Sequence, residues 1–181
     1  MKKILGVFLF LFMIITFTGC SLKKGSSSEP IKGECKVTEC IERIGLKDTL
    51  EEVNEIMGFD GTLVKEEDDY TEYKWEVSKS SSVKVAFYKD GKNDISIKFN
   101  KEDVKNDKID FSNFKEMKKL IQTGKMDYDT FKEKVGGIDG TLVQKSFYTK
   151  QYLWYNSSTK YFNATFSETT GMCTLLTGYN E

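Results

Sequence analysis

An internal repeat is the feature that most constrains how this chain can fold. Residues 58–64 read Gly-Phe-Asp-Gly-Thr-Leu-Val, and residues 137–143 read Gly-Ile-Asp-Gly-Thr-Leu-Val, 79 positions later. The same offset aligns Trp75 with Trp154. Two landmarks that align at one offset without a gap indicate that one structural unit has been duplicated.

Each copy opens with a helical pattern. Thr49 and Glu52 have the spacing of a capping box, and the apolar stripe that follows ends before Gly58. The Asp-Gly pair that ends at Gly61 is expected to form a tight turn in which the glycine supplies a positive φ. In the second copy Asp127 occupies the cap position. A shorter apolar stripe precedes each of these helices, so each copy is predicted to begin with a helix pair.

Segments with a period of two follow the helices. Within residues 70–77, Tyr73, Trp75 and Val77 share one face, while charged side chains share the other. We therefore predict an α+β fold with two tandem repeats, each a helix pair plus a four-stranded antiparallel sheet, with the helices on one face and the other face open. The tryptophans are expected in the core. Because one repeat is small and leaves exposed edges, the two should pack edge to edge or face to face.

The amino terminus has the pattern of an export signal. Lys2 and Lys3 precede an apolar run, residues 4–17, which is short for a membrane span. The run ends in Thr-Phe-Thr-Gly-Cys, which resembles the lipobox of bacterial lipoproteins. That resemblance implies that residues 1–19 are a signal peptide and that Cys20 is lipidated, anchoring the exported protein to the outer side of the bacterial cytoplasmic membrane. The alternative is an ordinary secretory signal that leaves Cys20 as a free thiol.

Composition and the repeat divide the chain after the signal peptide. The stretch that follows Cys20 is rich in Ser, Lys and Gly, which is typical of a flexible tether. The predicted segments are a tether (residues 20–33), the first repeat (34–100), an inter-repeat linker (101–112) and the second repeat (113–181).

The residue types that are missing exclude much familiar chemistry. The 181 residues include no histidine, so the chain cannot hold an imidazole general base, a Ser-His-Asp triad or a His-ligated metal. Its 27 basic and 28 acidic residues nearly balance, which argues against nucleic acid as a partner. No phosphate-binding loop or paired cysteine motif is present. We therefore predict no enzymatic activity, no cofactor and no metal site.

The repeat, together with a Tyr-x-Trp pair in each copy, resembles the β-lactamase inhibitory protein family across roughly residues 34–179. The resemblance implies a broad sheet surface that grips another protein. Inhibitors of that family insert an acidic hairpin tip into the enzyme, whereas the matching hairpin here, residues 78–82, reads Ser-Lys-Ser-Ser-Ser. The expectation is therefore protein binding in general.

The face opposite the tryptophans differs between the two copies. In the first copy it is charged, as expected of a solvated face. In the second it carries aromatic, apolar and small polar side chains, a composition typical of recognition surfaces. The candidate protein-binding residues are Tyr148, Leu153, Tyr155, Tyr161 and Asn163. Packing between the repeats is the alternative explanation for these side chains.

Three cysteines follow Cys20. Cys35 and Cys40 lie close in sequence and are candidates for a local disulfide in an exported protein. A bond from either of them to Cys173 is the alternative.

The functional expectation is a membrane-anchored extracytoplasmic lipoprotein that binds an unknown protein of the envelope or the exterior through its open sheet face. The alternative, of another class, is an envelope assembly or structural scaffold lipoprotein.

Overall fold

The computed structural model of the chain describes residues 36–178. The predicted signal peptide, the lipidation site Cys20 and the tether lie outside this part. The helices are α1 (Val37–Arg43), α2 (Leu50–Met57), α3 (Phe114–Gln122) and α4 (Tyr128–Lys134). The strands are β1 (Thr62–Glu66), β2 (Tyr70–Glu76), β3 (Ser82–Tyr88), β4 (Asn93–Lys98), β5 (Thr141–Lys145), β6 (Thr149–Tyr155), β7 (Tyr161–Ser167) and β8 (Cys173–Gly178). Within the described residues, no helix has the length and apolar character that a membrane crossing requires.

All eight strands form one antiparallel sheet, in chain order from β1 to β8. The predicted fold class, an α+β fold of two tandem repeats that each carry a four-stranded sheet, is wrong, because the eight strands make a single sheet. Strand β4 pairs with β5, with Ile95 opposite Lys145 and Ser96 opposite Gln144. This pairing covers two edges that separate sheets would leave open, which is a strong reason for the sheets to merge. We call residues 36–100 the first half and residues 113–178 the second half.

The helices of both halves pack on one face of the sheet, where they build two apolar clusters. Trp75 is central to the first cluster and Trp154 to the second, and both are buried, which confirms their predicted place in the core. Leu142 of β5 belongs to the cluster of the first half, with α1 and α2. The two cores are therefore joined through the strand at the junction.

The predicted helix starts are confirmed. The Thr49 hydroxyl accepts a hydrogen bond from the backbone N–H of Glu52, and the Glu52 carboxylate accepts one from the backbone N–H of Thr49. Gly58 ends α2 with a φ of 78°. The carboxylate of Asp127 caps α4 by accepting from the N–H of Thr130 at 2.8 Å.

The second glycine of each repeated motif is required for space. Neither Gly61 nor Gly140 is among the residues with a positive φ, so the predicted turn conformation is wrong. A Cβ on Gly61 would lie 2.5 Å from Cε2 of Trp75, and a Cβ on Gly140 would lie 2.7 Å from Cζ2 of Trp154. The motif and the tryptophan, recognised separately in the sequence, thus form one packing unit in which the ring lies against a backbone without a side chain.

Hydrogen bonds complete this packing unit. The indole N–H of Trp75 donates to the carbonyl of Phe59 at 3.1 Å, and that of Trp154 donates to the carbonyl of Ile138 at 2.8 Å. In the first half, Asn54 Oδ1 also accepts from the indole of Trp75 at 3.0 Å. A buried indole N–H that has a partner avoids the cost of an unmade hydrogen bond.

Replacing Gly61 with Ala is expected to lower the free energy of unfolding by about 1–3 kcal/mol, because the new methyl group overlaps the Trp75 ring. Urea unfolding followed by circular dichroism measures the loss. The control is Gly124→Asn, where the added Cβ meets open space and Asn tolerates the left-handed backbone. In a double-mutant cycle with Trp75→Phe, the two losses should not add. Full additivity, or no loss in Gly61→Ala, would contradict this account.

Candidate functional site

The sheet face opposite the helices is unevenly charged. In the first half it carries ion pairs between neighbouring strands, such as Glu72 with Lys84 at 2.6 Å. These pairs are solvent-screened and contribute little to stability. The corresponding face of the second half carries uncharged polar, apolar and aromatic side chains, among them Leu153, Tyr161 and Asn163. We call this whole surface the open face.

A cleft of about 260 Å³ lies where the two halves meet, at the border of the open face. Pairing between β4 and β5 extends only over two residue pairs, and the cleft lies beside the point where that pairing ends. Its uncharged lining comes from both halves. These residues are Ile97, Phe99, Val143, Leu153, Tyr161 and Asn163. We call this site the junction cleft.

Asn163, one of the residues that line the junction cleft, carries an unpaired hydrogen-bond acceptor. The side-chain oxygen of Asn163, Oδ1, is buried and has no hydrogen-bond partner among the described residues. Most buried polar atoms in folded proteins are paired, since an unpaired one costs about 1–3 kcal/mol. Asn163 therefore places a buried, unpaired acceptor at the wall of the cleft.

Two lysines give the junction cleft a positive rim. Lys98 and Lys101 line it and are both exposed to solvent. The ammonium group of Lys101 lies 5.3 Å from the centre of the Tyr161 ring, within the range of a cation–π contact. The cleft thus combines an apolar floor, one free acceptor and positive charge.

Tyr155 and Leu153, predicted to be exposed binding residues, are buried, so their predicted exposure is wrong. Tyr155 is 6% exposed and Leu153 is 4% exposed. The segment 101–107, which begins with a 3₁₀ turn (Lys101–Val104), folds across the end of β6: the Tyr155 hydroxyl donates to Glu102 Oε1 at 2.6 Å. This hydrogen bond, with burial, raises the pKa of Tyr155. Periodicity placed these residues on the open face, but it carried no information about a distant segment that covers part of that face.

Tyr148, the fifth predicted binding residue, lies away from the junction cleft. It occupies the turn between β5 and β6, is 63% exposed, and its hydroxyl lies 3.4 Å from the ammonium group of Lys92. Leu153 lies five positions further along the chain, about 16 Å away at the usual rise of a strand. Its neighbour Phe147, 40% exposed, was not singled out from the sequence. Tyr148 is therefore exposed as predicted but is not part of the junction cleft.

The junction cleft brings together three of the predicted residues, Leu153, Tyr161 and Asn163. Sequence analysis missed their partners from the first half, such as Ile97 and Phe99. The periodicity of the sequence could not reveal that residues of the two halves line one cleft, because this depends on how β4 pairs with β5.

The structure describes two of the three cysteines that follow Cys20, namely Cys40 and Cys173. Cys40 is disulfide-bonded, whereas Cys173 is a free thiol that is 3% exposed. Burial raises the pKa of the Cys173 thiol to about 11, so it stays protonated near neutral pH. The alternative disulfide to Cys173 is therefore wrong, and the predicted partner Cys35 lies outside the described residues.

Within residues 36–178, no group of three or more His, Cys, Asp and Glu side chains is arranged to hold a metal ion. Comparisons of the chain with protein-family models, with curated proteins and with solved structures find no match.

Replacing Tyr155 with Phe should lower the free energy of unfolding by about 1 kcal/mol and loosen segment 101–107, because the hydrogen bond to Glu102 is lost. Urea unfolding measures the first effect, and the rate of tryptic cleavage after Lys101 and Lys105 measures the second. The matched control is Tyr148→Phe, whose exposed hydroxyl should contribute less than about 0.5 kcal/mol. Equal effects from the two variants would show that Tyr155 does not hold this segment.

Proposed function

We propose that this chain is an exported bacterial lipoprotein that binds another protein, without catalysis, through the junction cleft at the border of its open face. The observation that carries the proposal is the buried, unpaired oxygen of Asn163 at a cleft with an apolar floor and a positive rim. A partner that donates a hydrogen bond to this oxygen removes an existing cost and so adds to the free energy of binding.

The size of the site favours a protein partner over a small molecule. About 260 Å³ is below the usual range of small-molecule pockets, which begins near 300 Å³. One or two side chains of a partner fill such a cleft while its backbone lies on the surrounding polar sheet. The resemblance to β-lactamase inhibitory proteins points in the same direction, toward recognition by a sheet surface.

The chemistry of the cleft describes the expected partner segment. We expect an apolar side chain of the partner to pack against Ile97, Phe99 and Val143. We expect an N–H or O–H group of the partner to donate a hydrogen bond to Asn163. The positive rim calls for a carboxylate nearby. We therefore expect an exposed loop that combines an apolar residue, a polar donor and an acidic residue.

A lipid anchor on Cys20 is compatible with protein binding at the junction cleft. Between Cys20 and Lys36, the first described residue, the chain can span at most about 55 Å when extended. Two acyl chains on Cys20 hold a protein at a membrane stably, whereas a single chain is marginal. The folded part would thus stay near the membrane with its open face accessible to other proteins.

Photo-crosslinking in the native cells tests the binding proposal. A benzoylphenylalanine at position 161 should capture one partner, while the same group at position 84, on the open face of the first half, should capture none. Capture at position 161 should fall at least tenfold in the Asn163→Leu variant, which keeps the number and branching of the side-chain heavy atoms and removes the acceptor. The control Thr165→Val, on the same strand and face, should leave it unchanged. Equal capture at both positions, or no effect of Asn163→Leu, would refute the proposal.

Radioactive palmitate fed to the cells tests the anchor. The wild-type chain should take up label and remain with the membranes, and Cys20→Ser should lose both properties because no thiol remains to be lipidated. Cys35→Ser is the matched control and should keep the label. Labelling that survives in Cys20→Ser, or that is absent from the wild type, contradicts the proposed lipoprotein.

A further inference from the structure

Two strands, β1 and β8, form the edges of the sheet, each with one strand neighbour within the described residues. Every residue of β1 is exposed, including Leu63 and Val64 at 46% each. On β8, Leu175 is 51% exposed. Exposed edge strands with apolar side chains are ready to pair with a further strand.

The junction inside the chain shows how such an edge is filled. Strand β5 pairs with β4, and its Leu142, only 6% exposed, packs into the core beneath α1. The residue that corresponds to Leu142 at the 79-residue offset is Leu63, which is 46% exposed. Among the described strands none lies outside β1 in the sheet, so Leu63 has no such core to enter.

Strand β1 presents the same edge as β5. On β5, Leu142 lies opposite Tyr152, and the register then shifts before Gln144. On β1, Leu63 lies opposite Tyr73, and the register shifts in the same way before Lys65. All paired positions of β1 correspond to those of β5 at the 79-residue offset, so the outer edges of the two strands have the same backbone pattern.

Strand β8 in turn presents an edge like that of β4. Leu176 lies opposite Ala164 in the same position in which Ile95 lies opposite Val85. Beside it, Leu120 and Ile121 of α3 are only partly buried, although both pack against the second core. The groove between α3 and β8 thus corresponds to the groove between α1 and β4 that Leu142 fills.

We propose that copies of this chain associate head to tail, with β1 of one copy paired to β8 of the next. Leu63 of the first copy fills the groove between α3 and β8 of the second. The register of the internal junction places Lys65 opposite Thr177 of the other copy and Glu66 opposite its Leu176. Such a contact is heterologous and can add copies repeatedly. It does not rest on the proposed partner site at the junction cleft.

Opposite charges on the two surfaces support pairing between copies of this chain. The turn between β1 and β2 is acidic, and the α3 region is basic. The acidic residues are Glu66, Glu67, Asp68 and Asp69, and the basic ones are Lys118, Lys119 and Lys125. At the internal junction the corresponding turn contacts the loop that joins α1 and α2, where Lys47 lies 5.8 Å from the Phe147 ring. Lys125 lies in the loop that joins α3 and α4, so the acidic turn of a neighbouring copy would meet a lysine there.

Disulfide trapping tests the proposed register in the full chain, kept in mild detergent. The variant with both Lys65→Cys and Thr177→Cys should give a ladder of dimers, trimers and larger species on a non-reducing gel. The pair Ser96→Cys and Gln144→Cys is the matched control, since these residues occupy the same relation within one chain. It should form an internal bond and no ladder, and the wild type shows the background from native cysteines.

A second measurement separates this contact from other associations. In sedimentation velocity, Leu63→Asn should weaken association at least tenfold, while Val64→Asn, on the opposite face of β1, should weaken it much less. Raising the salt concentration should also weaken it. A protein that stays monomeric at all concentrations, and that gives no ladder although the control pair forms its disulfide, would overturn the proposal. Dimers formed by Lys65→Cys alone would indicate a symmetric β1 contact and would also overturn it.

Discussion

The pairing of β4 with β5 is the interaction on which the rest of this structure depends. It is short, with two residue pairs, but Leu142 adds a side chain from the second half to the apolar core of the first. Each half alone would leave two sheet edges and an incomplete core. Joining them covers two edges and completes one core, which is why the chain forms a single sheet.

The same pairing creates the junction cleft. Beyond Ser96 and Gln144 the strands no longer pair, and side chains from both halves line the opening. Segment 101–107 then closes one end of the open face by bonding Glu102 to Tyr155. What remains accessible is a small apolar site with one unpaired oxygen, on Asn163, beside an extended polar surface. This combination underlies the proposed protein-binding function.

Much of the local structure could be predicted from the sequence. The capping box of Thr49 and Glu52, the cap of Asp127 and the burial of both tryptophans depend on residues that are close in the chain or on simple periodicity. The reason predicted for the second glycine of the motif, a positive φ, is wrong: Gly61 is needed because the Trp75 ring lies against it. That contact is between residues in different elements, so local conformational preferences could not reveal it.

By itself, the sequence determined where helices and strands lie, which side chains face the core and which segment resembles an export signal, because these depend on spacing and local chemistry. Only the tertiary structure decided that the strands form one sheet, that Leu153 and Tyr155 are buried, and that Asn163 lies in a cleft with Ile97. Such outcomes depend on contacts between residues far apart in the chain, and these form only when the strand edges and the covering segment pack together.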